Sequence, residues 1–205
     1  MKTVSLIGLD PKTRDLWFDD PDAASGEVWS LNQGHAMFIP EHMARMTRWF
    51  QVHPWEEMVA RQRELMPSFK HLEWLQHAPI PVYLEELHPD DVPSGVRYPY
   101  EDVCADLGTD YLTSALAFML ALAIHERFEH IRLYGMTLAA GTEYFDQRPC
   151  LEYLGSIAHA RGIRLWVPDS CPLISGSRYA KTVMISSSRI EMKMAELNKK
   201  KVFRK

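Results

Sequence analysis

Apolar and polar positions along the chain alternate between short runs and helical spacing. Thr3–Ile7 (TVSLI) is a β-branched run that stops at Gly8, and it predicts a buried first strand feeding a loop. Glu27–Leu31 (EVWSL), ending at Asn32-Gln33, predicts a second strand, and Thr47–Val52 (TRWFQV), ending at His53-Pro54, a third. Pro81–Leu84 (PVYL) and Ile163–Val167 (IRLWV) complete the outer strands. Glu56–Met66, Phe69–Gln76 and Cys150–Arg161 have apolar residues at helical spacing, the last closing on Gly162 as a C-cap.

The centre of the pattern is Tyr111–Met136. Thr113 or Ser114 supplies an N-cap oxygen. An unbroken apolar helix, Ala115–Ile124, follows, then a polar elbow and a short apolar strand, His130–Tyr134, ending at Gly135. A helix apolar on almost every face is buried on most sides. Helix, turn and buried strand make half of a βαβ unit, so the expected fold class is α/β: an open, mostly parallel sheet with helices on both faces.

Composition changes this picture little. The 205 residues are 46% hydrophobic and 24% charged, enough for one domain with a full core. The expected organisation is one domain over 1–177, with a candidate lid over 55–95, and a basic tail over 178–205. Charge is uneven: the net −4 combines about +7 in that tail with about −11 elsewhere. Such a tail is a solvated terminus or a surface for anionic partners such as DNA. Cys104, Cys150 and Cys171 have no CxxC spacing, which argues against a zinc knuckle or disulfide framework and fits a reducing cytoplasm. No stretch approaches the ~18 apolar residues of a membrane span, and the first residues read as a strand, not a signal peptide.

Candidate chemistry collects at predicted strand ends. Gly8 permits close backbone approach, and Lys12, Thr13 and Arg14 after it suit a phosphate. Asn32 and Gln33 stand where open α/β sheets hold ligands. His53 is a candidate general base or phosphate ligand. Arg97 and Tyr98 suit a phosphate and a base, or surface packing. Beyond Gly135, Tyr144 and Arg148 lie one helical turn apart and suit one cleft. Asp20-Pro21-Asp22 has the spacing of a divalent-cation site and equally of a turn.

This order of motifs resembles the Rossmann-like superfamily of the bacterial CMP-sialic-acid sialyltransferases and the 6-hydroxymethylpterin pyrophosphokinase-like proteins. The residues that carry it are the Gly8-Leu9-Asp10-Pro11-Lys12-Thr13 loop, Asn32-Gln33, Thr113-Ser114 before the apolar helix, and Gly135-Met136-Thr137. The chain is also similar to short phage-encoded proteins with the same motif order. The resemblance implies nucleotide or nucleotide-sugar binding by Gly8, Pro11, Thr13, Asn32, Thr113 and Ser114, and help from Tyr144 as the nucleotide phosphate departs. Thr137 replaces the family's aspartate, Asp10 replaces its second loop glycine, and the segment carrying its catalytic histidine is missing.

The leading expectation is therefore a transferase, a glycosyltransferase using a nucleotide-activated sugar, with His53, Tyr144 and Arg148 as catalytic residues. The first alternative is Mg²⁺-dependent pyrophosphoryl transfer, for which Asp10, Asp20 and Asp22 must converge. The second is a non-catalytic nucleotide binder. The expected partner is a small-molecule nucleotide donor, with an unspecified acceptor and room for a homo-oligomer.

Overall fold

Seven strands, all parallel, form one sheet in the order β5-β4-β3-β2-β1-β6-β7. The structure is a computed structural model describing residues 1–136, 147–169, 171 and 173. These fall within one compact unit, Met1–Ile174. The basic tail and Tyr144 lie outside the described residues.

The chain begins in the middle of the sheet with β1 (Thr3–Ile7), followed by helix α1 (Leu16–Asp19) and a 3-10 turn to β2 (Glu27–Leu31). Another 3-10 turn (Asn32–Ala36) and α2 (Pro40–Met43) lead to β3 (Arg48–Phe50). Helices α3 (Trp55–Glu64) and α4 (His71–Gln76) cross to β4 (Val82–Leu84), and a helix-free connection reaches β5 (Gly95–Arg97). The candidate lid segment thus packs Met58 and Leu75 into the core, at 3% and 0% exposure. The chain then returns through α5 (Tyr100–Leu107) and α6 (Ala115–His125) to β6 (His130–Tyr134), on the free side of β1. Helix α7 (Arg148–Ala160) and β7 (Arg164–Trp166) end the sheet.

Strand side chains alternate between two cores, because successive residues of a strand face opposite sides. Val4, Leu6, Trp29, Leu31, Phe50, Ile131 and Leu133 pack under α5, α6 and α7. Ile7, Val28, Trp49, Val82, Leu84 and Tyr134 pack with Trp17, Met58 and Leu75 on the other side. Residues Ala115–Ile124 of α6 are all buried, so its large side chains each contribute about 1.5–3 kcal/mol. Ser114 starts that helix by accepting the Ala117 amide at 3.3 Å. The capping residue is thus Ser114, while Thr113 is exposed.

Two charged clusters fix the sheet. At its amino-terminal edge Arg48 pairs with Glu27 at 2.7 Å and Glu126 at 2.5 Å. On β6, Arg132 is 6% exposed and pairs with Asp20 at 2.9 Å and Asp22 at 2.6 Å. The Asp20-Pro21-Asp22 turn is therefore a clamp on a buried arginine. Asp20 also accepts a 2.6 Å hydrogen bond from the Tyr134 hydroxyl. Its carboxyl is held below the usual range: burial works against this, and the Tyr134 hydrogen bond and Arg132 outweigh it.

Candidate functional site

β1 lies between β2 and β6; the chain leaves β1 toward one side and continues from β6 toward the other. Such a reversal marks the edge, at the carboxyl ends of the strands, where open α/β sheets bind ligands. Gly8 and Gly135 sit at this point with their backbones in contact. The Gly8 amide donates to Tyr134 O at 2.8 Å, and the Asp10 amide donates to Gly135 O at 3.1 Å. Gly135 has φ +64°, and a Cβ there would meet Gly8 O at 2.4 Å. No other residue type fits either position.

Thr13, 1% exposed, accepts the Gly135 amide on its hydroxyl oxygen at 2.9 Å. The Thr13 and Arg14 amides donate to Asp10 O, and the Asp10 carboxylate accepts the Lys12 amide at 2.9 Å. Arg14 forms a two-pronged pair with Asp15, at 2.7 and 2.9 Å. Pro11 is exposed. The first loop is thus shaped by its own hydrogen bonds. Asp10 holds the Lys12 amide while Asp20 and Asp22 together hold Arg132, so the three carboxylates do not share the site that the Mg²⁺-dependent alternative requires. Among the described residues, no group of three or more His, Cys, Asp or Glu could hold a metal.

One strand along, Asn32 closes β2 with φ +48°, a left-handed conformation that costs a non-glycine residue. Its carbonyl accepts the Trp49 indole N–H at 3.0 Å. Its side-chain Oδ1 is buried without a partner among the described residues. Gln33 follows it, half-buried. Asn32 thus combines a left-handed backbone with an unsatisfied acceptor at the carboxyl end of β2.

Beyond β3 and β4, Gln51, His53, Glu85, Glu86 and His88 line a cleft of about 130 Å³. His53 is exposed at its mouth, and partial burial of the imidazole, with Arg61 nearby, holds its pKa below the ordinary value. Glu85 is raised by burial and then by Glu86. Gln51, 1% exposed, has an Nε2 without a partner among the described residues. Crossover helices run antiparallel to the strands they join, so the starts of α6 and α7 lie on this same edge. That places Thr113, Ser114 and Arg148 there; Arg148 pairs with Glu152 at 2.7 Å.

The structure thus gathers the candidates Gly8, Pro11, Thr13, Arg14, Asn32, Gln33, His53, Thr113, Ser114, Gly135 and Arg148 on one edge of the sheet. Tyr98 leaves the set. It is 2% exposed, and its hydroxyl donates to Phe118 O at 2.9 Å, so it is core and not a platform for a base. Gln51 joins the set. A polar residue directly after the apolar run of β3 was its only sequence signal.

The chain matches no protein-family model and no curated protein sequence. Solved structures match its shape. The sialyltransferase CstII from Campylobacter jejuni, in complex with cytidine-5'-monophosphate, superposes with TM-score 0.50 at 17% identity, covering 84% of this chain and 80% of that one. The same enzyme with CMP-3FNeuAc gives TM-score 0.52 at 17% identity, covering 84% and 81%. The chain shares the fold of these structures. A point mutant of the α-2,3/8-sialyltransferase CstII agrees, with TM-score 0.51 at 15% identity over 83% and 82% of the two chains. These neighbours bear on the sialyltransferase side of the resemblance and not on its pyrophosphokinase or phage-encoded sides. No described helix is long and apolar enough to cross a membrane.

Proposed function

We propose that the protein is a glycosyltransferase that takes its sugar from a nucleotide-activated donor, with a cytidine nucleotide as the first candidate. The observation that carries this is the reversal of connections at the carboxyl ends of β1 and β6, with the unpartnered Oδ1 of Asn32 at the end of the neighbouring β2. The fold it shares with a sialyltransferase crystallised with CMP supports the choice of nucleotide.

In this reading the two glycines let the strand ends close on each other at the edge that receives the donor, and Asn32 Oδ1 accepts a hydrogen bond from the nucleoside. The start of α6, with Thr113 and Ser114, faces the phosphate with the positive end of the helix dipole. The anomeric carbon–oxygen bond to phosphate breaks as the acceptor hydroxyl oxygen bonds to that carbon. His53, neutral at pH 7 because its pKa is held down, takes the hydroxyl proton. Arg148 neutralises the departing nucleotide phosphate, and Tyr144 hydrogen-bonds to it.

A non-catalytic nucleotide binder is the second reading. One observation favours it: the Asp10 carboxylate caps the Lys12 amide, so the first loop turns an acceptor where a phosphate would need donors.

The test is a thermal-shift titration with CMP, UDP, GDP and AMP, each with and without Mg²⁺, repeated on Asn32→Gly. Cytidine nucleotide should raise the Tm, and Asn32→Gly should weaken its binding about tenfold, the loss of one hydrogen bond worth roughly 1.4 kcal/mol. The absence of a shift with every nucleotide would remove both readings. Binding without donor turnover would leave the second.

A further inference from the structure

An open surface depression of about 370 Å³ lies between the 3-10 turn after β2 and α4, lined by His35, Phe69, Lys70, Glu73, Trp74 and His77 among others. It shares no lining residue with the His53 cleft. A buried chain of hydrogen bonds nevertheless joins the two. Gln51 Oε1, in the His53 cleft, meets His71 Nε2 at 2.8 Å. His71 Nδ1 meets His35 Nε2 at 2.9 Å.

With the Gln51 amide oxygen turned toward His71, as here, the chain sets the tautomers. A carbonyl oxygen only accepts, so His71 carries its proton on Nε2 and its Nδ1 is a lone pair. His35 must then donate from Nε2, which leaves His35 Nδ1 as a bare acceptor. Burial keeps both rings neutral at pH 7. His35 is also clamped in place: it lies flat on Trp74, with centroids 4.6 Å apart and planes 5° from parallel. Trp74 is backed in turn by Trp49 at 4.7 Å.

The rim is built from Lys70 and Glu73, paired at 3.5 Å. Lys70 adopts φ +48°, the second left-handed non-glycine residue to border a candidate site. Aromatic walls accept the C–H face of a saturated ring, a fixed neutral acceptor selects a hydroxyl, and a rim whose charges cancel gives no preference for an ion. The geometry points to this depression as a binding site for a neutral hydroxylated ring, a sugar or glycoside, with His35 Nδ1 accepting one of its hydroxyls. Its use as the acceptor site rests on the transferase reading above; the binding itself does not.

The experiment titrates methyl β-D-galactopyranoside and methyl α-D-glucopyranoside into the full chain without nucleotide. It follows the Trp74 indole N–H and the His35 ring nitrogens by NMR. The expected result is saturable movement of both sets of signals by at least one glycoside. His35→Phe keeps the stacked ring and removes the acceptor, so it should weaken binding about tenfold. Phe69→Ala, at the partly exposed wall, gives a second variant that spares the buried relay and should weaken binding severalfold. Signals that stay still, or binding unchanged in both variants, would overturn the proposal, as would signals that move only with CMP. Glycoside binding with no response to CMP would keep this site and remove the donor reading; the reverse would remove this site alone.

Discussion

A Cβ placed on Gly8 would lie 2.3 Å from the carbonyl oxygen of Gly135, and one placed on Gly135 would lie 2.4 Å from that of Gly8. Each glycine is therefore the condition for the other. The obstructing atoms are backbone, which cannot swing aside as a side chain would. Gly8→Ala should cost about 3 kcal/mol or more of stability, read from urea unfolding, because it forces the ends of β1 and β6 apart. A variant of parental stability would show that the two strand ends can separate freely.

Thr13 ties the same point together from the side. Thr13→Val keeps the shape and removes the oxygen that receives the Gly135 amide, leaving a buried donor unpaired. The expected cost is about 1–3 kcal/mol, while Thr13→Ser should restore most of it. If Thr13 instead contacts phosphate directly, Thr13→Val would unfold like the parent and lose only nucleotide affinity.

The Gln51–His71–His35 chain makes a pH prediction. Burial depresses His35 to about 4 and His71 to about 3, whereas an unfolded imidazole titrates near ~6.5. Above that value neither state binds the protons, and the two residues leave stability unchanged. As pH falls through the window, the unfolded chain takes up protons that the native rings refuse, so stability declines steadily toward pH 4. Tm measured between pH 7 and pH 5 should fall, and His35→Phe should flatten that slope by removing one of the two protonations. A Tm constant over this range would mean that both rings are charged in the native state or solvated.

Arg132 and its two aspartates give a structural prediction where the sequence suggested a metal. Arg132→Met strands the Asp20 carboxylate, while the exposed Asp22 stays solvated, and should cost about 3 kcal/mol. Asp20→Asn, which can still accept from Arg132 and Tyr134, should cost less. Magnesium should leave the Tm of the parent unchanged. A Mg²⁺-dependent rise, abolished in Asp20→Asn, would return the pair to cation binding.

What could be read from the sequence follows a physical division. β1, β2 and β6 announce themselves because each is a β-branched or aromatic run that stops at Gly8, Asn32 or Gly135, and their ends do lie side by side. The buried helix α6 is legible because nothing else explains ten apolar residues in a row after a Ser cap. β5 escaped notice: it is three residues long at the sheet's edge, with Val96 and Arg97 exposed, so no burial pattern marks it. Helices α1 and α2, four residues each, are too short to show a period. Side-chain partnerships were the least legible. Asp20 meets Arg132 across 112 positions and His35 meets His71 across 36, and no local spacing encodes such meetings. Tyr98 misled for the same reason, since the Phe118 carbonyl that buries its hydroxyl arrives from another helix.

The Arg48 cluster has a mechanical consequence. Glu27, Arg48 and Glu126 bolt together the starts of two neighbouring strands and the end of α6, while the opposite ends of those strands are joined by the neutral Trp49 indole bond to the Asn32 carbonyl. Salt should therefore loosen the amino-terminal edge, where charge does the holding, and leave the indole contact at the other edge intact.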